Sequence, residues 1–340
     1  MTSLHPDTAR DALRLHWAQQ ALNDPQASLQ RASVDAGFRS YWRTQGRGVD
    51  RILMDAPPQL ENVAPWLRMH ALLGAHGVRV PQVLAQDLEN GFLLLEDLGV
   101  PTLAQVLTDA NAADDLLDGA IGQLLLLQKI PPPADSGVFG EALLQRDASL
   151  FEEWFLGRHL GVQLDCAHAE QLQLVQRRLM DNALAQPRVF THRDFMPRNL
   201  MPVPDGPAVL DFQDCVIGPI AYDPISLFKD TSVSWPLARV DGWLQHYHAH
   251  ASAAGLPVPP LAQFLRDADW MGVQRHLKNL GIFSRLSHRD GKHWYLDNVP
   301  RFMAYLEEIL PRYAELAPLI GLLDEVVKPA LAARAQQATT

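Results

Sequence analysis

The chain has 340 residues, 47% of them hydrophobic and 20% charged, with a formal net charge of −10. That length suffices for two lobes with separate cores, and the acidic balance argues against nucleic acid or an anionic membrane as the main partner. Two cysteines, Cys166 and Cys215, supply neither a disulfide framework nor the spacing of a metal site.

The opening stretch, "MTSLHPDTARDALRLHWAQQAL", starts polar and continues as an amphipathic helix. It lacks the basic, apolar and small-residue regions of a signal peptide. The longest apolar runs, "IGQLLLLQKI" and "GFLLLEDLG", are too short to cross a bilayer. A cytoplasmic protein with no membrane partner is therefore expected.

Three strand-compatible runs follow: "SLQRAS", "FRSYWRTQ" and "RILMDAP", separated by the turn-like "VDAG" and "GRGVD". "ENVAPWLRMHALLGAHG" reads as a helix with Leu67, Leu72 and Leu73 on its apolar stripe and Gly77 near its end. "VLAQDLENGFLLLEDLG" reads as a hairpin turning at Asn90-Gly91. Beyond Val100 the pattern is helical, over 101–130, 141–160, 167–186, 224–254, 261–286 and 298–336. One β-patch interrupts it, "RVFTH" and then "NLMPVPDGPAVLDFQD" with its turn at Pro204-Asp205-Gly206. The expected fold is α+β in two lobes: a β-rich N-lobe over 1–98 and a helical C-lobe over 99–340, joined near Glu96 to Gly99.

The chemistry concentrates in that β-patch. "VFTHRDFMPRNLM" carries Asp194 off a strand end and Asn199 five residues later; Asp211 follows Asp194 by 17 residues, at the end of "AVLD". One carboxylate (Asp211) and one amide oxygen (Asn199) form a sparse, oxygen-only donor set. Such a set suits Mg²⁺, which keeps its waters and takes further ligands from phosphates. A second carboxylate, Asp194, can accept the proton of an attacking hydroxyl. Together these are the requirements of phosphoryl transfer, and the spacing is that of a kinase catalytic loop followed by an Asp-Phe dipeptide. His-Arg-Asp recurs in "SHRDGKHWYL", but there Tyr295 stands in place of the Asn, and Glu307 in place of the metal Asp. That copy reads as a polar loop.

These stretches, with "VDAGFRSYWR", "RILMDAPPQLENVAPW", "LDFQDCVIGPIAYDPISLFKD" and "DWMGVQRHLKNLGIFSRLSHRDGK", resemble the aminoglycoside phosphotransferase and choline kinase branch of the protein-kinase-like fold. More narrowly, the chain resembles the bacterial anomeric N-acetylmuramate/N-acetylglucosamine kinases of cell-wall recycling. The resemblance implies ATP and Mg²⁺, and an amino sugar phosphorylated at C1. It makes Asp194 the catalytic base, Arg198 a partner of the γ-phosphate or substrate, and Asn199 and Asp211 the metal ligands. Glu96 to Leu98 would meet the adenine edge, and the Ser33–Gly37 turn would cover the phosphates. Arg275, His276 and Trp235 are candidates for the sugar site. The third strand reads Ile52-Leu53-Met54-Asp55 where a kinase has its phosphate-binding Lys; Arg39 or Arg43 is a candidate replacement, which leaves Glu61 in search of its usual partner. "HYHAH" sets His246 and His250 on one helix face with no Glu or Cys nearby to complete a metal site. An aminoglycoside- or choline-type phosphotransferase and a nucleotide-binding pseudokinase scaffold stay open as alternatives, and oligomeric state is not legible.

Overall fold

The computed structural model describes residues 8–34, 38–48, 50–107, 113–231 and 233–338. Gly37, expected in the phosphate-covering turn, lies outside them. Helix α1 (Thr8–Leu22) leads into strands β1 (Ser28–Val34), β2 (Ser40–Gln45) and β3 (Arg51–Asp55), then helix α2 (Ala64–Ala75) and strands β4 (Val83–Asp87) and β5 (Phe92–Glu96). The five strands form one antiparallel sheet in the order β1-β2-β3-β5-β4. Gly91 makes the last hairpin possible. Its φ is +72°, and a Cβ there would stand 2.0 Å from the Ala56 carbonyl oxygen, so only glycine fits.

Met54 and Asp55, at the end of β3, are both buried. Met54 belongs to the sheet's core. Asp55 receives Arg10 Nη2 at 2.5 Å and Arg14 Nη1 at 2.8 Å, so the residue after Met54 fastens α1 to the sheet instead of reaching into a cleft.

The second lobe is helical. It comprises α3 (Leu103–Val106), α4 (Ala113–Gln128), α5 (Glu141–Leu150), α6 (Cys166–Ala185), α7 (Tyr222–Phe228), α8 (Leu237–Ala253), α9 (Leu261–Asp290) and α10 (Val299–Ile309), followed by the short helices α11 (Ala317–Leu322) and α12 (Lys328–Ala338). The chain leaves α5 in a wider helical coil over Phe151–Leu160. Helix α9 runs as the lobe's central rod: most of its middle is buried, and α5, α6, α7, α8 and α10 pack on it. Gly281 allows α5 to come close, since a Cβ there would lie 2.3 Å from the Leu150 carbonyl oxygen.

Several expectations change. The helix expected over 298–336 is interrupted at Tyr313, whose backbone is extended between α10 and α11. The helix expected over 224–254 breaks into α7 and α8, because Pro236 stands at the N-terminus of α8 and cannot continue a helix from before it. The second His-Arg-Asp is helical: His288, Arg289 and Asp290 form the last turn of α9, which stops at Gly291 with φ +68°. The β-patch is two separate ladders, not one hairpin: β6 (Arg188–Thr191) pairs with β9 (Val216–Pro219), and β7 (Leu200–Met201) with β8 (Ala208–Val209). Among the described residues no helix is long and apolar enough to cross a membrane.

Candidate active site

The two short ladders bring the polar residues of "HRDFMPRNL" and "DFQD" to the junction of the lobes. The loop after β6 is held from beneath by Asp223, fully buried on α7. Its carboxylate accepts the amides of His192 at 2.7 Å and Arg193 at 2.9 Å. Burial pushes the Asp223 pKa up, opposed by His192, the two amides and Arg275. Arg193 sits in the left-handed region at φ +76°, and its carbonyl accepts Arg275 Nη1 at 3.3 Å. The buried His192 ring donates through Nε2 to the carbonyl of Leu210, at 3.0 Å. One histidine thereby ties the loop of Asp194 to the segment of Asp211.

Asp211 lies two residues past β8 at φ +58°, not on the strand itself. The unusual backbone turns the chain so that Phe212 drops inward, against Trp66 and His70 of α2 with ring centroids 5.1 and 6.2 Å away. Burying that ring stabilises the junction by roughly 1.5–3 kcal/mol. Asp211 itself stays substantially exposed. Asn199 commits its amide nitrogen to the carbonyl of Asp194, at 2.9 Å, which leaves the amide oxygen to act as an acceptor or ligand.

Asn199, Asp211 and Arg198 line an interlobe cleft of about 540 Å³ together with Ser33, Arg43 and the Glu96–Val100 connector. The connector is stiffened by charge. Glu96 receives both Arg79 guanidinium nitrogens, at 2.9 and 2.5 Å, and Arg43 grips Asp97 at 2.5 and 2.9 Å and the Gly99 carbonyl at 2.8 Å. The Glu96 amide is already given to Gln82 and that of Gly99 to Asp97, so the Glu96 side chain and these two amides are spent on the fold.

The Arg43 guanidinium, on the cleft wall, is thus engaged as the connector's clamp. Arg39 stands beside Glu61 and Asp211 instead. Its Nε lies 3.9 Å from Glu61 and its Nη2 lies 3.8 Å from Asp211. The Nε is buried without a hydrogen-bond partner, so the group is near two carboxylates but held tightly by neither.

Asp194 opens onto a second cavity, of about 330 Å³, whose wall also carries Arg146, Asp147, Arg193, Lys278 and Arg285. Burial works to raise the Asp194 pKa, but Lys278, Arg275, His192 and Arg198 outweigh it and hold the carboxyl below its ordinary value. This carboxylate is ionised at neutral pH. Lys278, buried on α9, donates to the Tyr222 hydroxyl at 2.8 Å and faces Asp147 at 3.7 Å.

Two expected sugar contacts are misplaced. The His276 ring is buried between Phe302 and Tyr305, 5.2 and 5.0 Å away, because it faces the opposite side of α9 from Lys278; burial drives its pKa well down. Trp235 packs edge-on against Trp243 at 5.2 Å, with Arg239 over its ring, and lines neither cavity. Arg275 lies over Tyr222 and supports the catalytic loop, not the cavity wall. Away from the cleft, Asp118 of α4 joins His246 and His250, the three donor atoms within 4.8 Å of one another on an exposed face. The sequence showed no such third donor because 128 residues separate Asp118 from His246.

Residues 28–264 match the model of the phosphotransferase enzyme family. The chain belongs to that family. An N-acetylmuramate/N-acetylglucosamine kinase of Pseudomonas putida is 49% identical over 91% of this chain and 94% of its own length. One of Neisseria meningitidis is 42% identical over 92% and 94%. Among solved structures, a choline kinase of Streptococcus pneumoniae superposes with a TM-score of 0.58 at 15% identity, covering 86% of this chain and 98% of that one. An ADP-bound aminoglycoside phosphotransferase gives 0.57 at 13% identity, over 87% and 97%. At such low identity these two speak for the two-lobed kinase-like fold alone. In this phosphotransferase the departures from the kinase pattern are Met54 on β3 and Gln213 after Phe212.

Proposed function

We propose that this phosphotransferase moves the γ-phosphate of ATP to the anomeric hydroxyl of N-acetylmuramate and N-acetylglucosamine, in the cytoplasm. The observation that carries the reading is the position of Asp194. It faces a cavity walled by four cationic side chains, while Asn199 and Asp211, from the same small unit, face the larger cleft. Nucleotide fits the cleft and acceptor fits the cavity, with the base beside the acceptor. Arg146, Arg193, Lys278 and Arg285 suit a sugar that bears a carboxylate, and would repel a polycationic aminoglycoside or a choline.

Asn199 and Asp211 offer the oxygen donors that Mg²⁺ takes beside phosphates, and the ion would supply neutralisation of phosphate charge. The chain's own residues do the rest. Asp194, ionised, orients the anomeric hydroxyl and accepts its proton as the oxygen attacks. That hydroxyl is more acidic than an ordinary alcohol, so a carboxylate of low pKa is an adequate acceptor. Arg198, at the cleft wall, is placed for the γ-phosphate; the Leu98 backbone and Ser33 border the nucleotide. Arg39 supplies the positive charge that Met54 does not, which removes the main reason for a pseudokinase reading.

The deciding assay incubates the protein with ATP and a panel of N-acetylmuramate, N-acetylglucosamine, choline and an aminoglycoside. ³¹P NMR should show sugar 1-phosphates from the first two, abolished by EDTA and restored by Mg²⁺. ATP binding without any phosphorylated product overturns the reading.

Arg39 and Arg43 separate by nucleotide. Arg39→Met should weaken ATP about tenfold, the loss expected for one contact to a charged group, and leave adenosine affinity alone. Arg43→Met should weaken ATP and adenosine alike, because it loosens the connector. Titration of both variants with both ligands checks the pair; an ATP affinity unmoved in Arg39→Met removes Arg39 from the phosphate site.

A further inference from the structure

The acceptor cavity holds more positive charge than transfer to a neutral hydroxyl requires, and its four cations are not equally engaged. Lys278 is tied to Tyr222 and faces Asp147. Arg146 lies 3.7 Å from Asp147 with its side chain 67% exposed. Arg193 adjoins Asp194 in the catalytic loop, at the reacting end. Arg285, like Arg193, has a buried Nε with no hydrogen-bond partner and, among the described residues, no carboxylate within ion-pair distance; of the two, it is Arg285 that stands on α9, outside the catalytic loop. A buried donor left unpaired is destabilising, a penalty that a bound anion would relieve.

Its place on α9 gives it a direction. Lys278, Ile282 and Arg285 all line the cavity, and their spacing of four and three residues sets them along one helix face. A rise of 1.5 Å per residue puts Arg285 about 10 Å beyond Lys278 along the axis. Lys278 acts on Asp194, so Arg285 marks the end of the cavity away from the reaction. N-acetylmuramate differs from N-acetylglucosamine by a lactyl ether on C3, two ring carbons from the reacting C1, that ends in a carboxylate. With C1 at Asp194, the arm extends away from the base, past the apolar Ile282.

We infer that Arg285 receives this lactyl carboxylate and sets the enzyme's preference between the two sugars, an assignment that rests on the acceptor reading proposed above. A guanidinium meets a carboxylate through two parallel hydrogen bonds, which a Lys cannot reproduce. N-acetylglucosamine, with a hydroxyl at C3, gains nothing comparable there.

The test compares initial rates of the full-length enzyme with each sugar at saturating Mg-ATP, for the wild type, Arg285→Met and Arg285→Lys. The ratio of kcat/KM for N-acetylmuramate over N-acetylglucosamine should fall about 10- to 100-fold in Arg285→Met, the range for a hydrogen bond between charged groups. The loss should lie mainly in KM for N-acetylmuramate, and Arg285→Lys should recover part of it. Turnover of N-acetylglucosamine reports that the variant is folded. An unchanged ratio, whether both sugars keep their rates or both lose them equally, overturns the assignment while leaving the acceptor reading standing. A wild type that phosphorylates neither sugar is the failure of the acceptor reading, and Arg285's role falls with it.

Discussion

Asp194→Asn should lower kcat by about 10²- to 10⁴-fold, the usual contribution of a positioned general base, with nucleotide affinity nearly unchanged. The amide keeps the shape of the carboxylate but cannot accept the hydroxyl's proton. Nothing that positions the loop depends on the Asp194 carboxylate: the backbone amides go to Asp223, and the His192 ring goes to Leu210. The nucleotide cleft is lined by other residues. Steady-state kinetics with N-acetylmuramate, beside ADP titration, check both halves; sugar phosphorylation at the wild-type rate would sink the base assignment. A pH profile adds an independent reading. Because Lys278 and Arg275 hold the Asp194 pKa below its ordinary value against its burial, the carboxylate stays ionised across the neutral range. The rate of the wild-type enzyme should therefore not fall through protonation of Asp194 anywhere between pH 5 and 8.

How much of this was legible depends on the range of the interaction involved. The strands of the N-lobe follow local rules, alternation and an Asn-Gly turn, and they stand where those rules put them. Asp194, Asn199 and Asp211 are close in sequence, so their spacing conveyed the chemistry before any fold was known. The sequence did not convey which of the two arginines is left unengaged near Met54. Arg39 and Arg43 are four residues apart near and on one strand, and only Asp97, 54 residues away, reveals that Arg43 is occupied. The cavity beside Asp194 was hidden for the same reason. Its wall draws on α5, the catalytic loop and α9, and the polar stretch "GVQRHLKNLGIF" does not say which of Arg275, His276 and Lys278 turns inward. Helical rotation puts Lys278 at the cavity and His276 in a core of aromatic rings. His-Arg-Asp at 288–290 misled differently: polar residues beside a glycine look like a loop, but a helix that ends at a left-handed Gly291 is polar in its last turn too.

Asp223→Ala should produce the reverse pattern from Asp194→Asn: a loss of stability first, and of activity through it. Asp223 touches no cleft, yet it closes two buried amides of the catalytic loop with bonds of 2.7 and 2.9 Å. An alanine leaves both N–H groups without an acceptor, at a cost of about 1–3 kcal/mol each. It also releases Arg193 from φ +76°, a conformation that a residue other than glycine holds only under constraint. Relaxation of Arg193 moves the next residue, Asp194. A displacement of about 1 Å at a reacting group can cost 10²-fold in rate. We therefore expect a lower unfolding midpoint, a stability loss of about 2–5 kcal/mol, and a kcat reduced about 10²-fold with the KM for ATP little altered. Asp223→Asn, which retains one acceptor oxygen but turns an NH₂ toward a donor, should fall between. Urea unfolding paired with single-turnover rates separates the two variants of this loop. Asp194→Asn loses chemistry and keeps its midpoint; Asp223→Ala moves both. Full kcat in a folded Asp223→Ala protein would mean that the loop holds its shape without the carboxylate beneath it, and that His192 alone, through its bond to Leu210, aligns Asp194 with Asp211.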